Sequence, residues 1–294
     1  MLEIRDLYKS FDGHTVLNGV NLQIEKGSIF GLVGINGAGK STLLRCISAV
    51  YQPEGGQVLL DGVNTYATPE IRKDIVFVSD DMYFEKNATI RSTASFYRSF
   101  YDLDDVLYYR YLKMFHLDEN TQISSFSKGM KRQTSLLFAL SIRPKLLLLD
   151  ECFDGLDPLV RLTFKKALVD MLEDQKATVI ISSHNLKELE DICDTFGILD
   201  NGVISSYGDL LESKENITKY QLAFNEDKDK SDFAGLDIIN FRKEGMVYTL
   251  VIKGDREKVT EELRKKEPLL LNELPVNFEE LFIYEVESRG LLDE

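Results

Sequence analysis

The stretch G-I-N-G-A-G-K-S-T, Gly34 to Thr42, constrains the fold of this chain most, because an apolar run precedes it and a helical pattern follows it. It matches the spacing G-x-x-x-x-G-K-[S/T] at every fixed position. Glycines let backbone N–H groups turn inward around phosphates, and the following helix adds partial positive charge at its N-terminus. A plain glycine-rich turn or a dinucleotide fingerprint would leave Lys40 and Ser41 unexplained, so the segment predicts a phosphate-binding loop.

Apolar runs of strand length alternate with helical patterns along the chain, which predicts an α/β fold with a largely parallel sheet. The clearest predicted strands are Ile29 to Val33, Ile75 to Val78, Leu146 to Leu149, Val179 to Ser182 and Thr195 to Leu199. Open α/β sheets bind their ligands at the carboxyl ends of the strands. We therefore expect the functional residues at those strand ends.

Carboxylates and a histidine follow two of these strands. The run K-L-L-L-L-D-E delivers Asp150 and Glu151 to the end of a buried strand, where an unpaired charge is costly. Beside a phosphate loop in the same sheet, Asp150 would orient the shell of a Mg²⁺ ion and Glu151 would face an attacking water. His184 follows the strand in T-V-I-I-S-S-H. Taken alone it is typical of a helix-cap region, whereas beside the other two motifs it indicates a catalytic group.

Composition argues against several other classes of protein. A length of 294 residues suggests one large domain with an appendage, or two domains. No run approaches the roughly 20 apolar residues of a membrane-spanning helix and the N-terminus lacks a secretory signal's apolar core, so we expect a cytoplasmic chain. A net charge of −14 disfavours nucleic acid as a partner. The cysteines are widely spaced and are interpreted as reduced thiols rather than metal ligands: Cys46, Cys152 and Cys193.

In their order along the chain, these motifs resemble the nucleotide-binding subunits of ATP-binding cassette (ABC) transporters. The resemblance covers roughly residues 1–213, with Walker A at 34–42, a signature at 126–130, Walker B at 146–151, a D-loop at 155–158 and the switch His184. It implies a P-loop NTPase cassette, of class α/β with a mixed sheet, and a helical subdomain inserted at about residues 85–135. Residues 214–294 are predicted to form a small C-terminal α+β accessory domain, with strands near residues 221–224, 246–253 and 269–271 and helices over 256–266 and 278–286.

The resemblance also implies which residues serve ATP and Mg²⁺. Phe11 matches the aromatic on which the family stacks adenine, although an ordinary strand aromatic is the alternative interpretation. The residues implied to contact ATP are Phe11, Val16, Asn36, Gly37, Ala38, Gly39, Lys40, Ser41 and Thr42. Those implied to catalyse hydrolysis are Glu151, His184 and Lys40. Those implied to hold the metal are Ser41, Asp80 and Asp150, and the D-loop aspartate is Asp157.

The signature departs from the usual L-S-G-G-Q of this family, because it reads F-S-K-G-M. In the family, the signature of one chain contacts the γ-phosphate bound by the Walker A of a second chain. The residues implied to act in trans are Ser127, Lys128, Gly129 and Met130. We expect two such cassettes to close around ATP nonetheless. Lys128 brings a cation near the polyanionic phosphates, provided that its backbone stays in an allowed region.

A second departure lies in I-V-F-V-S-D-D-M-Y-F, where Asp80 stands at the usual position of a glutamine that touches Mg²⁺. A carboxylate is a hard ligand suited to Mg²⁺, so we expect the metal role to persist. Asp81 is adjacent, so the alternative alignment, shifted by one residue, would place Asp81 at the glutamine position.

The resemblance implies that the chain drives separate transmembrane permease subunits from the cytoplasmic face of the cell membrane, paired with a second cassette as a homodimer or heterodimer. Tyr83 and Phe84 are candidates for a groove that receives the membrane partner. The K-G-M-K form of the signature and the tail N-F-E-E-L-F-I-Y-E-V resemble ABC-2-type exporters, which favours export of a drug, peptide or lipid-like substrate. The competing hypothesis is a soluble ABC-type ATPase acting on nucleic acid or ribosomes.

Overall fold

The computed structural model describes residues 1–209, 217–276, 280, 283 and 284. The chain divides into two compact units, Met1–Tyr207 and Gly208–Glu294. The boundary predicted at residue 213 lies outside the described residues. So does most of the helix that the sequence suggests over residues 278–286. Among the helices that the structure describes, none combines the length and apolar character needed to cross a membrane.

The first unit contains ten strands and six α-helices among the residues that the structure describes. The strands are β1 (Leu2–Phe11), β2 (His14–Ile24), β3 (Ile29–Val33), β4 (Gly55–Leu60), β5 (Val63–Asn64), β6 (Ile75–Val78), β7 (Leu146–Asp150), β8 (Thr178–Ser183), β9 (Thr195–Asp200) and β10 (Val203–Asp209). The helices are α1 (Lys40–Ile47), α2 (Ile90–Tyr97), α3 (Asp105–Met114), α4 (Lys128–Ile142), α5 (Pro158–Gln175) and α6 (Leu186–Glu190).

Two sheets form the frame of this unit. The larger has the strand order β10-β9-β3-β8-β7-β6, and β3 pairs in parallel with both β8 and β9. The smaller has the order β2-β1-β4-β5 and its strand pairs are antiparallel. The five strands predicted from apolar runs are confirmed, all in the larger sheet. The mixed α/β fold class is likewise confirmed.

Helix α1 packs into one apolar core with residues of both sheets. Its inward side chains, Leu43, Leu44 and Ile47, are buried there beside Leu17 of β2 and Phe30 of β3. Because α1 begins where the phosphate loop ends, this burial fixes the loop at the carboxyl end of β3. Packing of this kind is the main source of helix stability in proteins.

Helices α2, α3 and the first half of α4 lie within the range predicted for a helical subdomain. Residues 95–115 carry aromatic side chains at helical spacing, and the sequence predicts that most members of this aromatic stripe are core. Tyr108 is buried there, and its ring packs 6.3 Å from that of Phe138. Other members of the stripe, Phe96 and Phe100, are exposed and pack against each other with ring centroids 5.1 Å apart. The prediction of core positions for most of the stripe is therefore confirmed for Tyr108 and is wrong for Phe96 and Phe100.

The second unit is an antiparallel sheet with one described α-helix against it. Its strands are β11 (Ile217–Ala223), β12 (Asp237–Glu244), β13 (Val247–Lys253) and β14 (Leu270–Leu274), in the order β12-β13-β11-β14, and its helix is α7 (Arg256–Arg264). Tyr220, Leu250 and Leu263 lie in its apolar core. Strands near β11, β13 and β14 and the helix were predicted from the sequence, whereas β12 was not.

Candidate active site

The phosphate loop uses left-handed glycines to turn between β3 and α1. Gly37 has φ of 86° and Gly39 has φ of 103°, a region that favours glycine. A Cβ on Gly39 would lie 3.1 Å from Val16 Cγ1, so the loop also packs closely on β2. The N-cap of α1 is Gly39, which has no side chain to cap the helix, so the first N–H groups of α1 point toward the space where an anion would bind.

Lys40 is held inside this loop. Its Nζ donates to the carbonyl oxygens of Gly34 at 2.7 Å and Ile35 at 3.3 Å, and lies 3.9 Å from Glu151 Oε1. Burial lowers the pKa of Lys40 from its ordinary value, while the carboxylates of Glu151 and Asp150 oppose that shift. The ammonium therefore lies in a partly desolvated position, where a phosphate oxygen would gain more from it than in water.

The Walker B carboxylates end strand β7. Asp150 is 2% exposed, and its Oδ1 accepts a hydrogen bond of 2.6 Å from Ser182 on the neighbouring strand β8. Glu151 follows with φ of 48°, which is left-handed for a residue that is not glycine. Its Oε2 lies 2.9 Å from His184 Nδ1, so the structure brings the predicted base and switch histidine together.

Asp154 joins this pair, although sequence reasoning did not single it out. One ligand atom each from Glu151, Asp154 and His184 lie within 4.8 Å of one another. The signal that could have found Asp154 is a third carboxylate, three residues after Glu151 in D-E-C-F-D-G. The two carboxylates make this edge of the site acidic, and that of Glu151 lies 3.9 Å from the Lys40 ammonium.

The signature begins helix α4. Ser127 is its N-cap and accepts a hydrogen bond of 3.2 Å from the Met130 N–H, while Lys128 is the first helical residue and keeps a negative φ. The backbone of Lys128 therefore avoids the left-handed region that would favour glycine. A Cβ on Gly129 would lie 2.6 Å from the carbonyl oxygen of Gly155, so this glycine packs directly on the D-loop. The action of these residues in trans stays a prediction.

Two other predicted site residues have partners of their own. Asp157 caps helix α5 and accepts 3.0 Å hydrogen bonds from the N–H groups of Leu159 and Val160. Phe11 ends β1 with its ring partly exposed and 5.3 Å from the ring of Tyr51. Stacking of adenine on Phe11 is compatible with that exposure and stays a prediction.

Asp80 lies in an ion-pair network after β6. Its Oδ1 accepts a hydrogen bond from Arg132 Nη2 and lies 3.7 Å from Lys128 Nζ. Arg132 also donates to the backbone carbonyl of Glu151 and was not identified from the sequence. The sequence gives little indication of this role for Arg132, because Asp80 and Glu151 lie 52 and 19 residues away along the chain. The predicted role of Asp80 as a metal ligand remains a prediction.

The donors of Ser41 and Asp150 fit a magnesium ion. Ser41 makes no side-chain hydrogen bond within the described part of the chain, and Asp150 is a buried carboxylate at the end of an adjacent element. Hydroxyl and carboxylate oxygens are hard ligands of the kind Mg²⁺ prefers. These two residues would hold the ion beside the phosphates.

Comparison with known proteins agrees with this geometry. A family model described as ABC transporter matches residues 17–154. The ABC transporter ATP-binding protein YtrB of Bacillus subtilis is 35% identical over 284 residues, which cover 96% of this chain and 97% of that protein. The lantibiotic transport ATP-binding protein SrtF of Streptococcus pyogenes is 28% identical, covering 76% of this chain and 98% of its own length. A methionine import ATP-binding protein of Listeria innocua is 32% identical over 72% of this chain and 67% of its own length.

Solved structures show the same cassette fold. One described as the ATP-binding subunit of an ABC transporter superposes with a TM-score of 0.68 and 28% identity, covering 73% of this chain and 92% of that chain. Another, cbiO1 from Clostridium perfringens, described as part of the ABC transporter complex cbiONQ, gives a TM-score of 0.61 at 27% identity over 72% and 89% of the two chains. With a relative 35% identical along nearly its whole length, this chain belongs to the ATP-binding subunits of ABC transporters, a family of ATPases.

Proposed function

We propose that this subunit dimerises around two ATP molecules, hydrolyses them and passes the closing motion to separate transmembrane permease subunits. The observation that carries the proposal is the chain of contacts at the carboxyl end of the parallel sheet. Lys40 Nζ lies 3.9 Å from Glu151 Oε1, and Glu151 Oε2 lies 2.9 Å from His184 Nδ1. A phosphate-binding cation, a base and an orienting histidine are what phosphoryl transfer to water requires.

Each group has its own part in the in-line attack of water on the γ-phosphate. The Lys40 ammonium offsets charge on the transferred phosphoryl group, Glu151 accepts a hydrogen bond from the attacking water, and His184 orients Glu151. Mg²⁺ held by Ser41 and Asp150 would withdraw charge from the phosphate oxygens. Helix α4 of a second cassette would present Ser127 and Gly129 to the γ-phosphate, which explains why dimerisation would require ATP.

Trapping the dimer tests this proposal. Glu151→Gln removes the charge of the base and should give an ATP-dependent dimer of twice 33.6 kDa in light scattering, with hydrolysis lost. The control is the same variant carrying Lys40→Ala, which should stay monomeric because the phosphates lose their cation. Dimerisation without ATP would contradict closure driven by ATP, and full hydrolysis by Glu151→Gln would contradict the assignment of Glu151 as the base.

A groove on the first unit supports docking of a membrane subunit. Its volume is about 450 Å³, and its lining includes Tyr83, Phe84 and Phe96. Tyr83 is 87% exposed, an unusual position for so large an aromatic ring. We propose that a short helix of a permease subunit docks here, which would hold the chain peripherally at the cytoplasmic face of the membrane.

The double variant Tyr83→Ser/Phe96→Ser tests this docking, with Tyr109→Ser as the matched control for loss of an exposed aromatic ring outside the groove. Membranes solubilised gently from cells that make a tagged chain should yield a polytopic protein with wild type and with the control, and not with the double variant. Recovery of a different cassette in equal amount would indicate a heterodimer. Recovery with ribosomes or nucleic acid alone would contradict the transporter proposal.

For direction of transport we propose export of a drug, peptide or lipid-like substrate. The supports are the K-G-M-K form of the signature and the relative named for lantibiotic transport, whereas the relative named for methionine import supports the opposite direction. Inside-out vesicles that carry the subunit with its permease should accumulate such a compound when ATP is added. Accumulation in right-side-out vesicles instead would indicate import.

A further inference from the structure

Arg132 on helix α4 is the largest side chain that is completely buried in the described part of the chain, with 1% exposure. Its Nη1 donates to the backbone carbonyl of Glu151, and its Nη2 donates to the carboxylate of Asp80 and lies 3.4 Å from the Asp80 carbonyl oxygen. A buried guanidinium needs a counter-charge, because desolvation of an unpaired cation is costly. Asp80 supplies that charge.

Glu151 needs a restraint on its backbone. Its φ of 48° is unfavourable for a residue with a Cβ and persists only where surrounding contacts hold it. The N–H of Glu151 donates to the Ser182 carbonyl at 3.1 Å, and its own carbonyl accepts from Arg132. A change in this backbone conformation would move the Glu151 carboxylate from its present position, in which Oε2 lies 2.9 Å from His184 Nδ1.

The position of Asp80 relates the two departures from the ABC pattern to each other. Lys128, the unusual residue of the signature, has its Nζ 3.7 Å from Asp80 Oδ1. Oδ1 of Asp80 is thus paired with two cations of helix α4, which compete with a metal ion for that oxygen. The neighbouring Asp81 is exposed and has no hydrogen bond or ion pair within the described part of the chain.

We propose that Asp80 is a positioning residue for the base Glu151, acting through Arg132, and is not a ligand of Mg²⁺. The inference rests on the proposed function, because the orientation of Glu151 matters only if the subunit hydrolyses ATP. It requires that the carboxylate at position 80 sets kcat while leaving the affinity for Mg²⁺ and ATP almost unchanged.

The experiment compares Asp80→Asn with Asp81→Asn in the full chain, purified with the membrane partner that stays bound. Both variants lose one negative charge from the same loop, but only the first loses the contact with Arg132. We expect Asp80→Asn to lower kcat by about tenfold to 100-fold, since small displacements of a base are costly. Its KM for ATP and its half-saturating Mg²⁺ concentration should stay within about twofold, and Asp81→Asn should match wild type.

A double-variant test links the effect to Arg132. Arg132→Lys keeps the charge but loses the two-pronged contact, so Asp80→Asn should add little to its loss of kcat. Circular dichroism checks that each variant is folded. If Arg132→Lys is not folded, the comparison of positions 80 and 81 decides alone.

Each other outcome overturns the inference. A rise of about tenfold or more in the half-saturating Mg²⁺ concentration of Asp80→Asn would make Asp80 a metal ligand and leave the proposed function intact. An unchanged kcat, or equal losses at positions 80 and 81, would show that the contact with Arg132 does not position the base. Absence of hydrolysis by the wild-type complex would overturn the proposed function as well.

Discussion

Replacement of Ser182 by alanine should destabilise the first unit more than loss of an ordinary buried hydroxyl. Ser182 is fully buried, and its Oγ donates at 2.6 Å to the carboxylate of Asp150, which is itself 2% exposed. A hydrogen bond to a charged group contributes about 1.5–3 kcal/mol, and a neutral one about 0.5–1.5 kcal/mol. The alanine variant leaves one buried carboxylate oxygen without its donor, so we expect a loss of about 2–3 kcal/mol.

Ser141 provides the matched control. It is also fully buried, and its Oγ donates at 2.7 Å to the uncharged carbonyl of Leu137 within helix α4. Ser141→Ala removes the same atoms from an equally buried position and should cost about 1 kcal/mol or less, because alanine also favours the helix. Because the chain has two compact units, the assay should follow them separately. Urea titration read by hydrogen-exchange mass spectrometry does so, through peptides that cover β7 and β8.

A second comparison tests the electrostatic part of the reasoning. In an Asp150→Asn background the acceptor is neutral, so Ser182→Ala should then cost only about as much as Ser141→Ala. Equal costs of Ser182→Ala and Ser141→Ala in the wild-type background would refute the reasoning. That result would mean that solvent or another donor satisfies the Asp150 carboxylate.

Three further predictions concern other contacts. Gly129→Ala should lower stability by about 1–3 kcal/mol in thermal unfolding, because the added Cβ would lie 2.6 Å from the Gly155 carbonyl oxygen. Asp157→Ala should cost about 1 kcal/mol in the same measurement through loss of the α5 cap, whereas Asp157→Asn should retain most of it. Burial raises the pKa of Cys46 to about 11 and the pKa values of the other two cysteines as well, so all three stay protonated at pH 8. Mass spectrometry should find them unreactive to iodoacetamide in the native chain and alkylated in urea.

The sequence predicted the larger sheet well because its strands are short, continuous apolar runs that end in polar or glycine-rich turns. Leu146–Asp150 is buried at every position, so no alternation was needed to recognise it. The N-terminal hairpin was harder to predict from the sequence, since β1 has several breaks in its pairing register with β2. Strand β12 carries charged residues and no fully buried position, and this leaves it without a hydrophobic pattern.

The candidate site was predictable where chemistry follows a strand within one or two residues. Asp150 ends β7 and His184 directly follows β8, whereas Lys40 was identified from the glycine-rich motif that separates it from β3. Arg132 was not, because its function depends on partners in two distant segments that only the fold brings together. Motif spacing reports local geometry, whereas the pairing of a buried cation is a property of the packed structure.

The backbone of Glu151 shows how folding and catalysis share the same contacts. Its N–H is held by the Ser182 carbonyl and its carbonyl by Arg132, so the strands and helix α4 together fix a conformation that a non-glycine residue rarely adopts. Replacing the side chain, as in Glu151→Gln, leaves both backbone contacts in place and removes only the charge of the base. Replacing Arg132 removes a contact to the backbone while the carboxylate remains. The two substitutions therefore separate the chemistry of the base from its orientation, and only the first should retain a site able to close around ATP without hydrolysing it.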